Sequence, residues 1–179
     1  MTTQEYAETH LLSELATVRR FKQSAYELLT DYEAALIYWY SADGHSVVNN
    51  LLRTSLTEAS EPPVSLLLDA LSKLATYQGM VYRGVNLTST ELDRYERACG
   101  MKETIAEPFF VSASRNRLIA NKFGSTQFRI ISRRGRDIAT LSKHEREEEV
   151  LFLCGSRFYV TNFDKQHDGS IVITLKESE

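Results

Sequence analysis

The chain changes its hydrophobic period partway along, and that change limits what it can fold into more than any other feature. Up to about Ala75, apolar residues recur at the intervals that line one face of an α-helix. In "TDYEAALIYWYS", Thr30 and Glu33 stand at capping-box separation, so hydroxyl and carboxylate can close a first turn reciprocally. "SVVNNLLRTSL" and "PPVSLLLDALSKLA" continue the pattern, the second with proline at its start. Thr88 and Glu91 predict another capping box before "ELDRYERACG", with Gly100 as its stop. From Gly79 onward, short β-rich runs dominate: "MVYRGV", "PFFVSAS", "TQFRIISR", "EEVLFL", "RFYVTNF" and "SIVITLKE". "RNRLIANKFG" interrupts them with helical spacing. Helices first and antiparallel-looking strands later predict an α+β domain rather than alternating βαβ units. The expectation is one domain over 1–179, mainly helical over 1–78 and β-rich over 79–179.

A length of 179 residues permits one domain with a real core and leaves little room for two. The formal charge of −3, spread over mixed acids and bases, carries no general polyanion-binding signature, and no apolar run approaches membrane-spanning length. "MTTQEYAETH" lacks the features of a secretory signal, so a soluble, cytoplasmic protein without membrane association is expected. Cys99 and Cys154 are isolated, and His10, His45, His144 and His167 never pair with them at metal-ligand spacing, so no metal is expected. GxGxxG and GxxxxGK[ST] are both missing, and a bound nucleotide would need another device.

The chemistry concentrates in three short motifs. "HEREEEVLFL", His144 to Leu153, sets four carboxylates before an apolar run, where ionised groups meet a desolvation cost. If "EEEVLFL" is a strand, Glu147 and Glu149 project together and Glu148 points away. Such a pair can divide labour, one carboxylate stabilising developing positive charge and its neighbour accepting a proton from a nucleophile. A solvated charged face is the plainer reading of the same glutamates. "VYRGV" places Arg83 in a short apolar strand, where its guanidinium can hold a phosphate in a bidentate fork. "EPFFVSAS" sets Ser112 and Ser114 two residues apart, so their hydroxyls can share a face and orient a neighbouring carboxylate. Ser114 also sits where an N-cap for "RNRLIANKF" belongs. "RRGRD", Arg133 to Asp137, reads as a solvated hairpin around a turn glycine.

Arg83 in "YRG", the Ser-x-Ser of "FFVSAS" and the Glu-x-Glu of "EEEVLF", in that order, resemble the R-S-E class of mono-ADP-ribosyltransferases. Upstream, "YSADGHSVVNNLLR" is similar to the family's helical segment through Tyr40, Gly44, Val48, Asn49, Leu52 and Arg53, with His45 in place of the usual aromatic. Ala113 stands where the family commonly has Thr, on the face away from the serines. The resemblance runs from roughly Asp31 to the C-terminus.

It implies helices packed on a mixed, mostly antiparallel two-sheet β-sandwich with a cleft for NAD+, the co-substrate. Glu149 would stabilise the charge developing on the nicotinamide ribose, held in place by Ser112. Arg83, with Gly84 and Ser114 nearby, would bind the phosphate and ribose region, and Phe123 would cover the nicotinamide, although a core position for that ring is an equal reading. Glu147 would steer and deprotonate an arginine guanidinium of a target protein. Thr140 to Arg146 resembles the family's substrate-recognition turn, and its Lys143, His144 and Arg146 suit an acidic target surface. The implied protein is a monomeric small effector or toxin, or a phage-encoded modifier, acting in the cytosol of a host or target cell. An NAD+ glycohydrolase and a nucleic-acid-directed transferase remain as alternatives.

Overall fold

A computed structural model describes residues 1–20, 27–54 and 60–178. The chain divides into two compact units, Met1–Ala75 with Arg136–Arg146, and Thr76–Gly135 with Glu147–Glu179.

The first unit holds helices α1 (Thr3–His10), α2 (Leu12–Arg20), α3 (Asp31–Trp39), α4 (His45–Thr54) and α5 (Val64–Ser72). The Thr30 and Glu33 box forms as the sequence predicts, and a second box, Thr2 with Glu5, starts α1. Helix α3 is buried on every side: Ala34, Ala35, Leu36 and Ile37 are each 0% exposed, so α3 lies at the centre, touching α1, α2 and α5. Glu33, also buried, accepts from the Thr30 N–H at 2.9 Å and from Lys73 Nζ at 2.6 Å. Burial alone would raise its pKa, but the hydrogen bonds from Lys73 and Thr30 outweigh that and hold the carboxyl below its ordinary value. A π-helical turn, Tyr40–Gly44, joins α3 to α4. The predicted continuation of α4 over Ser55 and Leu56 lies outside the described residues. No described helix is long and apolar enough to cross a membrane.

The second unit contains β1 (Thr76–Val85), α6 (Ser89–Met101), β2 (Thr104–Ala106), β3 (Val111–Ser114), α7 (Arg117–Ala120), β4 (Thr126–Asp137, its last two residues counted with the first unit), β5 (Glu149–Phe152), β6 (Arg157–Lys165) and β7 (Ile171–Glu177). Hydrogen bonding runs through seven strands in the order β1-β3-β5-β4-β7-β6-β2, and an additional β1–β4 pairing closes the first four strands on themselves. The β4–β7 pair is parallel, while β1–β3, β3–β5, β6–β7 and β2–β6 are antiparallel. The class is α+β, as the change of period implies. Alternate residues of these strands, among them Phe128, Ile130, Phe158, Val160, Ile173 and Leu175, form one core with Tyr95 and Ala98 of α6. Tyr95 donates its hydroxyl to Glu107 at 2.8 Å, and burial together with that carboxylate pushes its phenol pKa up.

Two local expectations fail for identifiable reasons, and one strand was not anticipated. Gly100 does not stop α6; the helix runs to Met101, and Lys102 takes the left-handed cap at φ 57°. "RRGRD" is no hairpin, because it lies inside β4, where Gly135 is buried and a Cβ there would stand 2.7 Å from Val150 Cγ1. The short strand β2 escapes a reading by pattern, since Thr104–Ala106 offers no run long enough to show alternation.

Candidate active site

Strand β3 organises the candidate residues, because it pairs with β1 on one side and β5 on the other. Its register sets Ser114 opposite Glu149 and Ser112 opposite Leu151. Residues paired across antiparallel strands share a face, so Ser112, Ser114 and Glu149 face one way while Ala113 and Val150 enter the core. Ser114, not Ser112, is therefore the direct cross-strand neighbour of Glu149, with Ser112 on the diagonal. From β1, Arg83 donates Nη1 to the Ser112 carbonyl at 2.7 Å. Glu149 and Ser114 are buried, at 6% and 7% exposed, while Arg83, Ser112 and Glu147 are half-buried.

The three glutamates do not form one strand. Glu147 ends a 3-10 turn, Glu145–Glu147, Glu148 is left-handed at φ 48°, and β5 begins only at Glu149. The alternation that would have set Glu147 and Glu149 on one strand face thus stops at Glu149. The end of β3 competes for the backbone in its place. Ser114 Oγ donates to the Glu147 carbonyl at 2.6 Å, and the Arg115 N–H donates to the Glu148 carbonyl at 3.1 Å. Ser114 is consequently not the cap of the following helix. Asn116 caps α7, its Oδ1 accepting from the Leu118 N–H at 3.0 Å. The cap of α7 has a visible sequence signal, an Asn directly before "RLIA", whereas its part in the glutamate turn has none.

Gly84 follows Arg83 and is buried; a Cβ there would stand 2.1 Å from the Ala120 carbonyl oxygen, so α7 can approach β1 only over glycine. Just beyond α7, Phe123 is 55% exposed, which excludes the core position that sequence alone left open. Lys143, His144 and Arg146 belong to the helical unit's second segment and are exposed. That segment is anchored from below. Ile138, Ala139 and Leu141 are buried, the Lys143 N–H donates to Ser41 Oγ at 2.9 Å, and the His144 N–H donates to Ser142 Oγ at 3.1 Å.

The architecture is that of ADP-ribosyltransferases: the crystal structure of the ADP-ribosyltransferase HopU1 of Pseudomonas syringae pv. Tomato DC3000 superposes with a TM-score of 0.81 over 94% of this chain and 86% of that one, at 24% identity. Residues 19–179 match the family NAD:arginine ADP-ribosyltransferase, and the chain belongs to that family. Mav of Mycobacterium avium (strain 104) is 37% identical over 74% of this chain and 16% of its own length. The NAD(+)–protein-arginine ADP-ribosyltransferase Tre1 of Serratia proteamaculans (strain 568) is 29% identical over 92% of this chain and 36% of its own length. The chain thus spans well under two thirds of these curated relatives.

Proposed function

We propose that the chain moves ADP-ribose from NAD+ to the guanidinium of an arginine on a target protein and releases nicotinamide. The observation that carries this reading is the register that sets Ser114 across from the buried Glu149, with Ser112 on the same face and Arg83 bonded to the Ser112 main-chain carbonyl. These residues fit NAD+. Arg83 offers a planar cation for its phosphates, and the serine hydroxyls and the Glu149 carboxylate suit a ribose. The glycosidic bond to nicotinamide breaks with its electron pair going to the departing ring nitrogen, so no acid is needed. Glu149 stabilises the cationic sugar. A guanidine nitrogen then bonds to that carbon and gives a proton to Glu147, because a guanidinium with a pKa above about 12 attacks only once it has lost one. Phe123, exposed at the end of the α7 turn, is available to cover the nicotinamide.

The exposed Lys143, His144 and Arg146 lead directly into Glu147 and support a target with an acidic surface around its arginine. Action inside a target cell, by a monomeric effector or toxin domain or a phage-encoded modifier, is the setting in which such a modification has an effect. The test is incubation with biotin-labelled NAD+ and bacterial extract, wild type beside Glu149→Gln, blotted after protease or nuclease. Discrete protease-sensitive bands in the wild type alone support the reading. Nuclease-sensitive signal moves the acceptor to nucleic acid, nicotinamide without bands makes the protein a glycohydrolase, and no NAD+ turnover overturns the enzymatic reading.

A further inference from the structure

The residue between the two motif glutamates adopts a backbone conformation that side chains with a Cβ rarely take. Glu148 has φ 48°, yet it is neither Gly nor Asn. Such a conformation persists where surrounding contacts over-determine it. Here the contacts come from three successive residues at the end of β3. Ser114 Oγ accepts from the Asn116 N–H at 2.9 Å and donates to the Glu147 carbonyl at 2.6 Å, and the Arg115 N–H holds the Glu148 carbonyl at 3.1 Å. The Glu148 side chain folds back onto the same segment, accepting from Asn116 Nδ2 at 3.4 Å and lying 3.7 Å from Arg115 Nε. Asn116 therefore works at both ends of its amide. Its Oδ1 caps α7 through the Leu118 N–H, and its Nδ2 reaches Glu148.

We propose that Asn116 and Glu148 are a positioning pair that sets the direction of Glu147, and so governs transfer to a guanidine without governing cleavage of NAD+. The inference rests on the arginine-transfer reading above. Its physical basis is the unequal support of the two motif glutamates. Glu149 lies in β5, paired across to β3, and strand pairing holds it. Glu147 lies before the strand, in a 3-10 turn whose end is held by Ser114 Oγ at the Glu147 carbonyl. Loosening the turn misplaces Glu147 and leaves Glu149 where it was. Neither Asn116 nor Glu148 needs to touch substrate for this.

The experiment compares wild type, Asn116→Asp, Glu148→Gln and the double variant, in two assays: transfer to agmatine, a small alkylguanidine, and nicotinamide release without an acceptor. Asn116→Asp keeps an oxygen for the Leu118 N–H, so α7 stays capped and the melting temperature should hold, but it sets a carboxylate against Glu148. Its expected signature is a loss of transfer of about tenfold or more with release within about threefold of wild type, since only an interaction made during transfer has been removed. Glu148→Gln retains an acceptor for Asn116 and should stay near wild type. In the double variant the amide introduced at position 148 can donate to the new carboxylate, and transfer should return. Unchanged transfer in Asn116→Asp, transfer and release falling together, or no recovery in the double variant would each overturn the pairing. Wild type that releases nicotinamide but never modifies agmatine or protein sinks the arginine-transfer reading, and the inference with it, and that failure is visible before any variant is made.

Discussion

Both units bury a carboxylate, and they do so to different ends. In the helical unit, Glu33 is enclosed by its own helix start and by Lys73, so its charge is spent on closing a turn and fixing a neighbouring residue. In the β unit, Glu177 is 4% exposed and accepts from the Arg133 and Arg134 N–H groups at 2.7 and 2.8 Å, which satisfies the far end of β4. Glu149 is also buried in that unit, and the register places Ser114 across from it. Burial of a carboxylate is therefore not by itself the mark of a reactive group. On the proposed function Glu149 is the acid that acts on substrate, and substitution is what separates it from the structural acids.

Substitutions at these positions test the contrast. Glu149→Gln should cut both transfer and nicotinamide release by about 10²- to 10³-fold, the effect typical of removing one preorganised group at a developing charge, with little change in melting temperature. A similar loss of stability instead of activity would place Glu149 with the structural acids. Glu147→Gln should lower transfer to agmatine by about 10²-fold or more while nicotinamide release survives, the signature of a missing base for the acceptor. Parallel loss of both would return Glu147 to the cleavage step. Glu177→Ala should leave the turnover of folded protein intact and cost about 1–3 kcal/mol of stability, read by denaturant titration, because two N–H groups lose their acceptor. An unchanged midpoint would show that water replaces the carboxylate there.

The smallest effect concerns Glu33. Its pKa is lower in the folded protein than the roughly 4.3 of an unfolded chain, so the stability it contributes is complete above that value and is lost as pH falls through the lower, folded value. The stability difference between wild type and Glu33→Gln should therefore be constant near neutrality and narrow in acid. Melting curves from pH 7 to pH 3 that stay parallel would remove the ion pair with Lys73 from the account.

The same contrast explains which parts of the molecule were legible in the sequence. Helix starts were, because a capping box is a local device in which both partners lie within four residues; Thr30 with Glu33 and Thr88 with Glu91 form as read. The strands were legible as elements through their alternation, and the motifs single out Arg83, Ser112, Ser114 and Glu149 as candidates. What alternation could not supply was register. That Ser114 rather than Ser112 faces Glu149 depends on how β3 slides against β5, and no local signal encodes it. The irregular turn at Glu147 and Glu148 was missed for a related reason. Reading "EEEVLFL" as one strand ignores the hydroxyl and N–H groups of Ser114 and Arg115, which lie about thirty residues earlier in the chain and draw the two carbonyls out of the ladder. "RRGRD" failed in the opposite sense, because a glycine that looks like a turn serves instead to let Val150 pack against β4.

The helical unit is completed by a piece of chain that arrives late. Ile138, Ala139 and Leu141 belong to it, yet they follow β4 and are separated from α5 by most of the β unit. Arg136 Nη1 donates to the Leu74 carbonyl, tying that late segment to the residue just after α5. A ribosome making this protein delivers the helices first and the segment that closes them only after some sixty further residues, at synthesis rates of about 5–20 residues per second. The helices consequently spend seconds without that part of their covering, and a chain cut before Arg136 would never acquire it. Order of synthesis and order of packing are out of step in this molecule, and the exposed loop that leads into Glu147 is part of the segment that brings them together.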